Sequence, residues 1–195
     1  DRIKNVLVGG SAVNENLKQK ILNINTNVYE TYGMTETITH IAVRNLSMGE
    51  NEFTTLPGIE IGEKDSCLFI KPNHLSIDFV QTNDIVEFIT KNKFVIRGRR
   101  DFVINSGGIK INPESVEKKL SKYFNTDFII SSIDDNRFGE VVVLVFKKNI
   151  PDDYQKAFAC LGKYEIPKKI IVIENFPKNN GKLNRLKLRK LINKN

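Results

Sequence analysis

The chain is poor in the residues that build metal and disulfide frameworks. Among 195 residues it has two cysteines, Cys67 and Cys160, far apart and without CxxC spacing, and two histidines, His40 and His74. Structural zinc and a disulfide scaffold are both excluded on that count. No stretch approaches the roughly 18 uninterrupted apolar residues of a membrane span. The charged start, DRIKN, leads into an apolar run too short for a secretory signal. These absences read as a soluble cytoplasmic protein. No internal repeat, zinc-finger spacing, helix-turn-helix cue or paired-aromatic RNA motif occurs either.

What is present suffices for packed structure. Hydrophobic residues make up 40% of the chain, enough for one large or two small domains. The formal net charge is +7, and residues 176–195, FPKNNGKLNRLKLRKLINKN, carry seven basic residues and no acid. Such a segment suits an anionic partner such as nucleic acid, or is simply a solvated basic face; composition leaves both open.

Three textures follow one another. In residues 1–45, KNVLVGG and NVYETYG read as short strands around NENLKQKILN, a helix opened by an Asn cap; this is a βαβ rhythm that implies a parallel sheet. Residues 46–97 are β-rich: LPGIEIG, CLFIKP, LSIDFV, DIVEFIT and KFVIRG, punctuated by turns, predict a small antiparallel sheet or barrel. Residues 102–195 predict a compact α+β unit. In it NPESVEKKLSKYF is a helix with Asn112 as N-cap, Pro113 at the first position and an apolar stripe of Val116, Leu120, Tyr123 and Phe124. DFIISSI, EVVVLVFKK and KKIIVIE are strands there, DDYQKAFACLG is a helix, and LNRLKLRKLI is a weakly amphipathic closing helix. The fold class is therefore mixed α/β and α+β.

Four stretches carry possible chemistry. In YETYGMTETITH a strand ends at Tyr32-Gly33 and is followed by Thr35 and Glu36: a hydroxyl, backbone N–H groups and a carboxylate suited to a phosphate and its divalent ion. An ordinary strand-turn with a capped helix fits the same letters. Asp84 of QTNDIVEF, at a strand entrance, could accept from two ribose hydroxyls or be a turn aspartate. The stretch FVIRGRRDFVINSGGIK, residues 94–110, places an Arg cluster, Asp101 and a Gly pair at the boundary of the last texture. Lys182 of PKNNGKLNR offers an ammonium at a loop tip, for developing negative charge or for solvent.

Singly these signals are modest, but their order is informative. YGMTE, TND, GRRD…SGG and NGKLNR, in that order, resemble the C-terminal half of the adenylate-forming superfamily of acyl- and aryl-CoA synthetases, over essentially the whole chain. The resemblance implies that Gly9, Gly10 and Ser11 of VGGSAV line the acyl and adenine pockets. It implies that Tyr32 lies against adenine, Thr35 touches phosphate, Glu36 holds Mg²⁺, and Asp84 with Arg99 binds the ribose. Asp101 becomes the hinge, within residues 98–101, between the end of a large domain (1–97) and a small mobile domain (102–195). Gly107 and Gly108 line the pantetheine tunnel of coenzyme A, with Lys110 a further CoA contact, and Lys182 assists adenylation. Arg97 and Arg100 are surface or CoA-phosphate contacts.

The stretches YETYGMTETITHIA and DFVINSGGIKINPESVE look most like the branch of the family that serves menaquinone biosynthesis. That likeness adds Thr37, Thr39 and His40 as residues facing an aromatic diacid, o-succinylbenzoate. The partners so implied are the acid, ATP and CoA, the upstream half of the same enzyme, and a second copy in a homodimer, with no nucleic acid. An adenylation domain loading a carrier protein is the alternative within the superfamily. TND replaces the usual TGD, PKNNGK is one residue shorter than the usual PKTxxGK, and no Ser/Thr/Gly-rich phosphate loop occurs. The resemblance thus predicts a C-terminal fragment, inactive alone, whose residues before about 45 expose unpaired sheet edges.

Overall fold

The structure, a computed structural model, describes residues 3–73 and 78–194. The chain divides into two compact units, Asp1–Arg100 and Asp101–Asn195. His74 and the first half of the LSIDFV stretch, residues 75–77, lie outside the described residues.

The first unit begins as its pattern predicts. Strand β1 (Asn5–Val8) runs parallel to β2 (Asn27–Gly33), with helix α1 (Glu15–Ile21) as the crossover. The Asn14 side chain caps α1 by accepting from the Leu17 N–H at 2.8 Å. Ile21 is buried with Val28 and Leu46 beneath the helix. Antiparallel β3 (His40–Asn45) and β4 (Phe53–Thr55) extend the sheet.

The β-rich region departs from expectation in its grouping. Strands β5 (Ile59–Lys64), β6 (Cys67–Pro72) and β7 (Val80–Gln81) form a separate three-stranded sheet. Strands β8 (Asp84–Thr90) and β9 (Lys93–Arg99) instead join the first sheet, whose order is β1-β2-β3-β4-β9-β8. Neither sheet closes into a barrel. The reason lies in Phe53 and Phe94, register partners across β4 and β9 whose rings stack with centroids 5.8 Å apart. Both are buried in a core with Ile41, Leu68 and Ile70, so the two sheets share one apolar layer.

In the second unit, β10 (Ile104–Ser106) and β11 (Ile109–Ile111) form a hairpin, and helix α2 (Pro113–Leu120) follows with Asn112 as its cap. Strand β12 (Phe128–Asp135) pairs with β13 (Gly139–Lys147), which also pairs with β10 and, in parallel, with β14 (Lys169–Ile173). A hairpin of β15 (Lys178–Asn179) and β16 (Lys182–Leu183) leads into helix α3 (Arg185–Ile192).

Every residue from Val141 to Phe146 is buried because both faces of β13 are covered. Val142, Leu144 and Phe146 meet Val116, Leu120 and Phe124 on the α2 side; Val143 and Val145 meet Leu188 and Ile192 of α3. Each such side chain stabilises by about 1.5–3 kcal/mol on burial. A continuous apolar run is what a strand buried on both faces requires.

Two readings need correction. DDYQKAFACLG forms a 3₁₀ turn, Tyr154–Cys160, rather than an α-helix. Its apolar residues are still used: Ala157 is buried in the core of the unit, and Tyr154, Phe158 and Leu161 pack against that core partly buried. Tyr123, assigned to the stripe of α2, is 54% exposed, because that helix ends at Leu120 and only Phe124 of the following turn points inward.

Candidate active site

In the first unit the register of β8 against β9 sets Asp84 directly opposite Arg99. Asp84 is 6% exposed, and its Oδ1 lies 3.2 Å from an Arg99 guanidinium nitrogen. Its Oδ2 accepts from the Tyr32 hydroxyl of β2. The Asp84 N–H donates to Thr82 Oγ1 at 3.0 Å, and that hydroxyl donates to the Leu68 carbonyl at 2.8 Å. The Tyr32 ring packs on Phe53 and Phe94 with centroids 5.8 and 5.7 Å away. Burial, reinforced by the Asp84 charge, drives the Tyr32 phenol well above its ordinary pKa of 10.0. The phenol is therefore a fixed donor, and the carboxylate is held rigidly between it and Arg99.

A second buried carboxylate supports the glycine segment. Glu30 of β2 accepts from Arg44 Nε at 2.9 Å and Nη2 at 2.6 Å, and from the Val13 N–H at 3.1 Å. Arg44 also lies over the Phe53 ring, 4.4 Å from its centroid. Gly9 is there for close approach: a Cβ would sit 2.3 Å from Thr31 Oγ1. Gly10 and Ser11 are exposed beyond it. Sequence reasoning did not single out Glu30 or Arg44; the cross-strand pairing that joins them appears only once register is known.

The turn after β2 separates its residues. Thr35, Glu36, Thr39 and His40 are exposed, whereas Thr37 is fully buried. The Thr37 hydroxyl lies 3.0 Å from the Met34 carbonyl and 2.9 Å from the Thr39 carbonyl, and accepts from the Met34 N–H at 3.2 Å. Thr37 is thereby corrected from a substrate-facing residue to the one that holds the turn. Gly33 permits the turn, since a Cβ there would meet the Thr39 carbonyl oxygen at 2.7 Å. Ile38 is 78% exposed with φ of 64°, a strained state for a β-branched residue. No cluster of three or more His, Cys, Asp or Glu able to hold a metal occurs among the described residues. Exposed Glu36 beside Thr35 nevertheless fits Mg²⁺, which commonly takes one or two carboxylates and shares the rest of its shell with phosphates and water.

In the second unit Gly107 and Gly108 have φ of 60° and 86°, the paired left-handed conformation of a two-residue hairpin turn between β10 and β11. The Gly107 N–H donates to the Phe138 carbonyl at 2.8 Å. Exposed Lys110 lines a cavity of about 340 Å³ with Asn112, Ser115, Tyr164 and Glu165. Asp101 is exposed at the start of the unit. Lys182 is also exposed, just past Asn180 and Gly181, whose φ values of 49° and 78° make a tight two-residue turn. The shortened PKNNGK loop is thus a hairpin closed by the Asn184 N–H donating to Pro177 O at 2.8 Å. Of the basic tail, Arg185 pairs with Glu117, and Arg189 with Glu140 and Asp134; neither is a merely solvated charge.

No family model matches the chain. It is 26% identical to the 2-succinylbenzoate–CoA ligase of Staphylococcus epidermidis, covering 96% of this chain and 46% of that enzyme. Among solved structures, o-succinylbenzoate CoA synthetase (MenE) from Bacillus subtilis in complex with the acyl-adenylate intermediate OSB-AMP is 26% identical, with a TM-score of 0.78 over 96% of this chain and 46% of that one. The same enzyme in complex with ATP and magnesium ion is 25% identical, with a TM-score of 0.78 over 95% and 46%. The chain spans about half the length of the curated relatives it matches.

In sequence and fold the chain is similar to the C-terminal part of enzymes of the adenylate-forming acyl-CoA synthetase superfamily. Within that superfamily the relatives covering it are AMP-forming acid–CoA ligases, 2-succinylbenzoate–CoA ligases among them. No helix among the described residues is long and apolar enough to cross a membrane.

Proposed function

We propose that this chain is the part of an ATP-dependent acid–CoA ligase that closes the nucleotide site and carries the mobile domain, with o-succinylbenzoate as the acid. The observation that carries the reading is the buried Asp84 carboxylate, fixed between Tyr32 and Arg99. A rigidly held carboxylate beside an aromatic ring suits a ribose with its adenine, and the Bacillus subtilis relatives were solved with such nucleotides. Gly10, Ser11 and Gly33 belong to the same nucleotide pocket; Gly9, Thr39 and His40 face the acid.

In the first step an acid carboxylate oxygen bonds to the α-phosphorus of ATP and the bond to pyrophosphate breaks. Thr35 donates to a phosphate oxygen, and Lys182 offsets the charge that develops there. Mg²⁺, held through Glu36, supplies further neutralisation of phosphate charge when bound. In the second step Asp101 acts as the pivot, Lys182 withdraws, and the Gly107-Gly108 turn admits pantetheine, with Lys110 contacting CoA. The thiol sulfur then bonds to the acyl carbon, AMP leaves with the bonding pair, and the thiol proton passes to solvent. Hinge motions of this kind place their backbone changes on a few residues at an element boundary.

The isolated 195 residues should not catalyse ATP–pyrophosphate exchange, because no phosphate loop is among them. ATP-dependent consumption of free CoA by the complete gene product, with o-succinylbenzoate compared with simple benzoates, tests the reading. Turnover with o-succinylbenzoate is expected. Loading of a carrier protein with no use of free CoA would point instead to an adenylation domain.

A further inference from the structure

Arg185 is the first residue of α3, three positions after Lys182, and it is half-buried. Its two terminal nitrogens reach both Glu117 oxygens, at 2.9 and 2.6 Å, in a forked pair, and one of them also donates to the Ile130 carbonyl at 3.3 Å. Glu117 Oε1 in turn accepts from the Ile130 N–H at 2.8 Å. The guanidinium also lies 5.5 Å from the centroid of the Phe102 ring, the residue immediately after Asp101. One side chain thus ties together α2, β12 and the start of the second unit.

The hairpin bearing Lys182 needs such a tie. Its own strands are two residues each, and Lys178, Asn179 and Lys182 are all exposed. A two-stranded ribbon of that length does not hold its place unaided. Burial of Leu188 and Ile192 fixes the rest of α3 but not its first turn, where Leu186 is 56% exposed. Opposite charge alone would not set a direction; a planar fork on a carboxylate does.

We infer that Arg185 is a positioning residue: its fork on Glu117 holds the Lys182 hairpin in place and links it to the Asp101–Phe102 segment. This rests on the assignment of Lys182 to adenylation, and the test separates the two claims. The first arm uses the 195-residue chain and a lysine-specific protease. In Arg185→Met, cleavage after Lys178 and Lys182 should accelerate about tenfold while cleavage after Lys147, in buried β13, stays at the wild-type rate. Arg185→Lys keeps the charge without the fork and should fall between. If Arg185→Met does not fold, Arg185→Lys alone decides: hairpin cleavage at the wild-type rate overturns the proposal.

The second arm uses the complete gene product. A displacement of about 1 Å can cost on the order of 10²-fold in rate, so Arg185→Met should lose that much ATP–pyrophosphate exchange. Thioester formation from supplied acyl-adenylate should change less than about threefold. Equal losses in both half-reactions, or uniform acceleration of cleavage across the second unit, would reduce Arg185 to a fold stabiliser and overturn the inference. If the wild-type protein performs neither half-reaction, the proposed function fails, and the protease arm still decides the role of Arg185.

Discussion

Replacing Tyr32 with Phe isolates the contact on which the nucleotide site depends. The change keeps the ring against Phe53 and Phe94 and removes only the hydroxyl that donates to Asp84. A hydrogen bond to a charged group contributes about 1.5–3 kcal/mol, so the variant should be less stable than wild type by that order at neutral pH. The pH dependence is more specific. Burial and then the Asp84 charge raise the phenol's pKa in the folded state above 10.0, so the unfolded chain releases this proton first. The stabilisation is fully present below about pH 10 and declines as the pH rises toward the folded-state value. Linkage gives a decline of about 1.4 kcal/mol between about pH 9 and pH 11 from this group alone. Urea unfolding of both proteins over that range subtracts the titration of everything else, and the two stability curves should converge as the pH rises. Parallel curves would show that burial beside Asp84 does not raise the Tyr32 pKa in the folded state.

Arg44→Met leaves Glu30 buried without its cation, at a cost of about 3–5 kcal/mol that urea unfolding would register; a change under about 1 kcal/mol would refute the pairing. Gly33→Ala places a Cβ 2.7 Å from the Thr39 carbonyl oxygen, and the crowding should lower stability by about 1–3 kcal/mol in thermal denaturation. Asn112→Ala removes the side chain that accepts from the Glu114 and Ser115 N–H groups, and should cost about 1 kcal/mol.

Local signals told most where the chemistry is local. The Asn112-Pro113 start of α2, the apolar run of β13 and the Asn14 cap of α1 all depend on neighbours within a turn or a strand, and each is legible in the letters. Grouping of the strands was not. Nothing near Phe53 or Phe94 announces that β4 and β9 pair across 41 positions in place of a closed barrel. The site shows the same division. Asp84 and Arg99 could be named from their motifs, but the Tyr32 hydroxyl on Asp84, 52 positions away, emerges only from the folded sheet. Arg185 lay within the quoted NGKLNR stretch, yet its partner Glu117 is 68 positions distant on another element. Thr37 was misjudged because a hydroxyl in a turn reads alike whether it faces a ligand or its own backbone.

The most direct measurement is the pair of half-reactions in the complete gene product carrying Lys182→Ala. Lys182 is exposed, so the change should leave the melting temperature within about a degree or two of wild type, as surface substitutions do. ATP–pyrophosphate exchange dependent on o-succinylbenzoate should fall by about 10²–10³-fold, the loss seen when a group that stabilises transition-state charge is removed. Conversion of supplied acyl-adenylate to the CoA thioester should persist. Exchange at the wild-type rate, or equal loss of both half-reactions, would contradict the account.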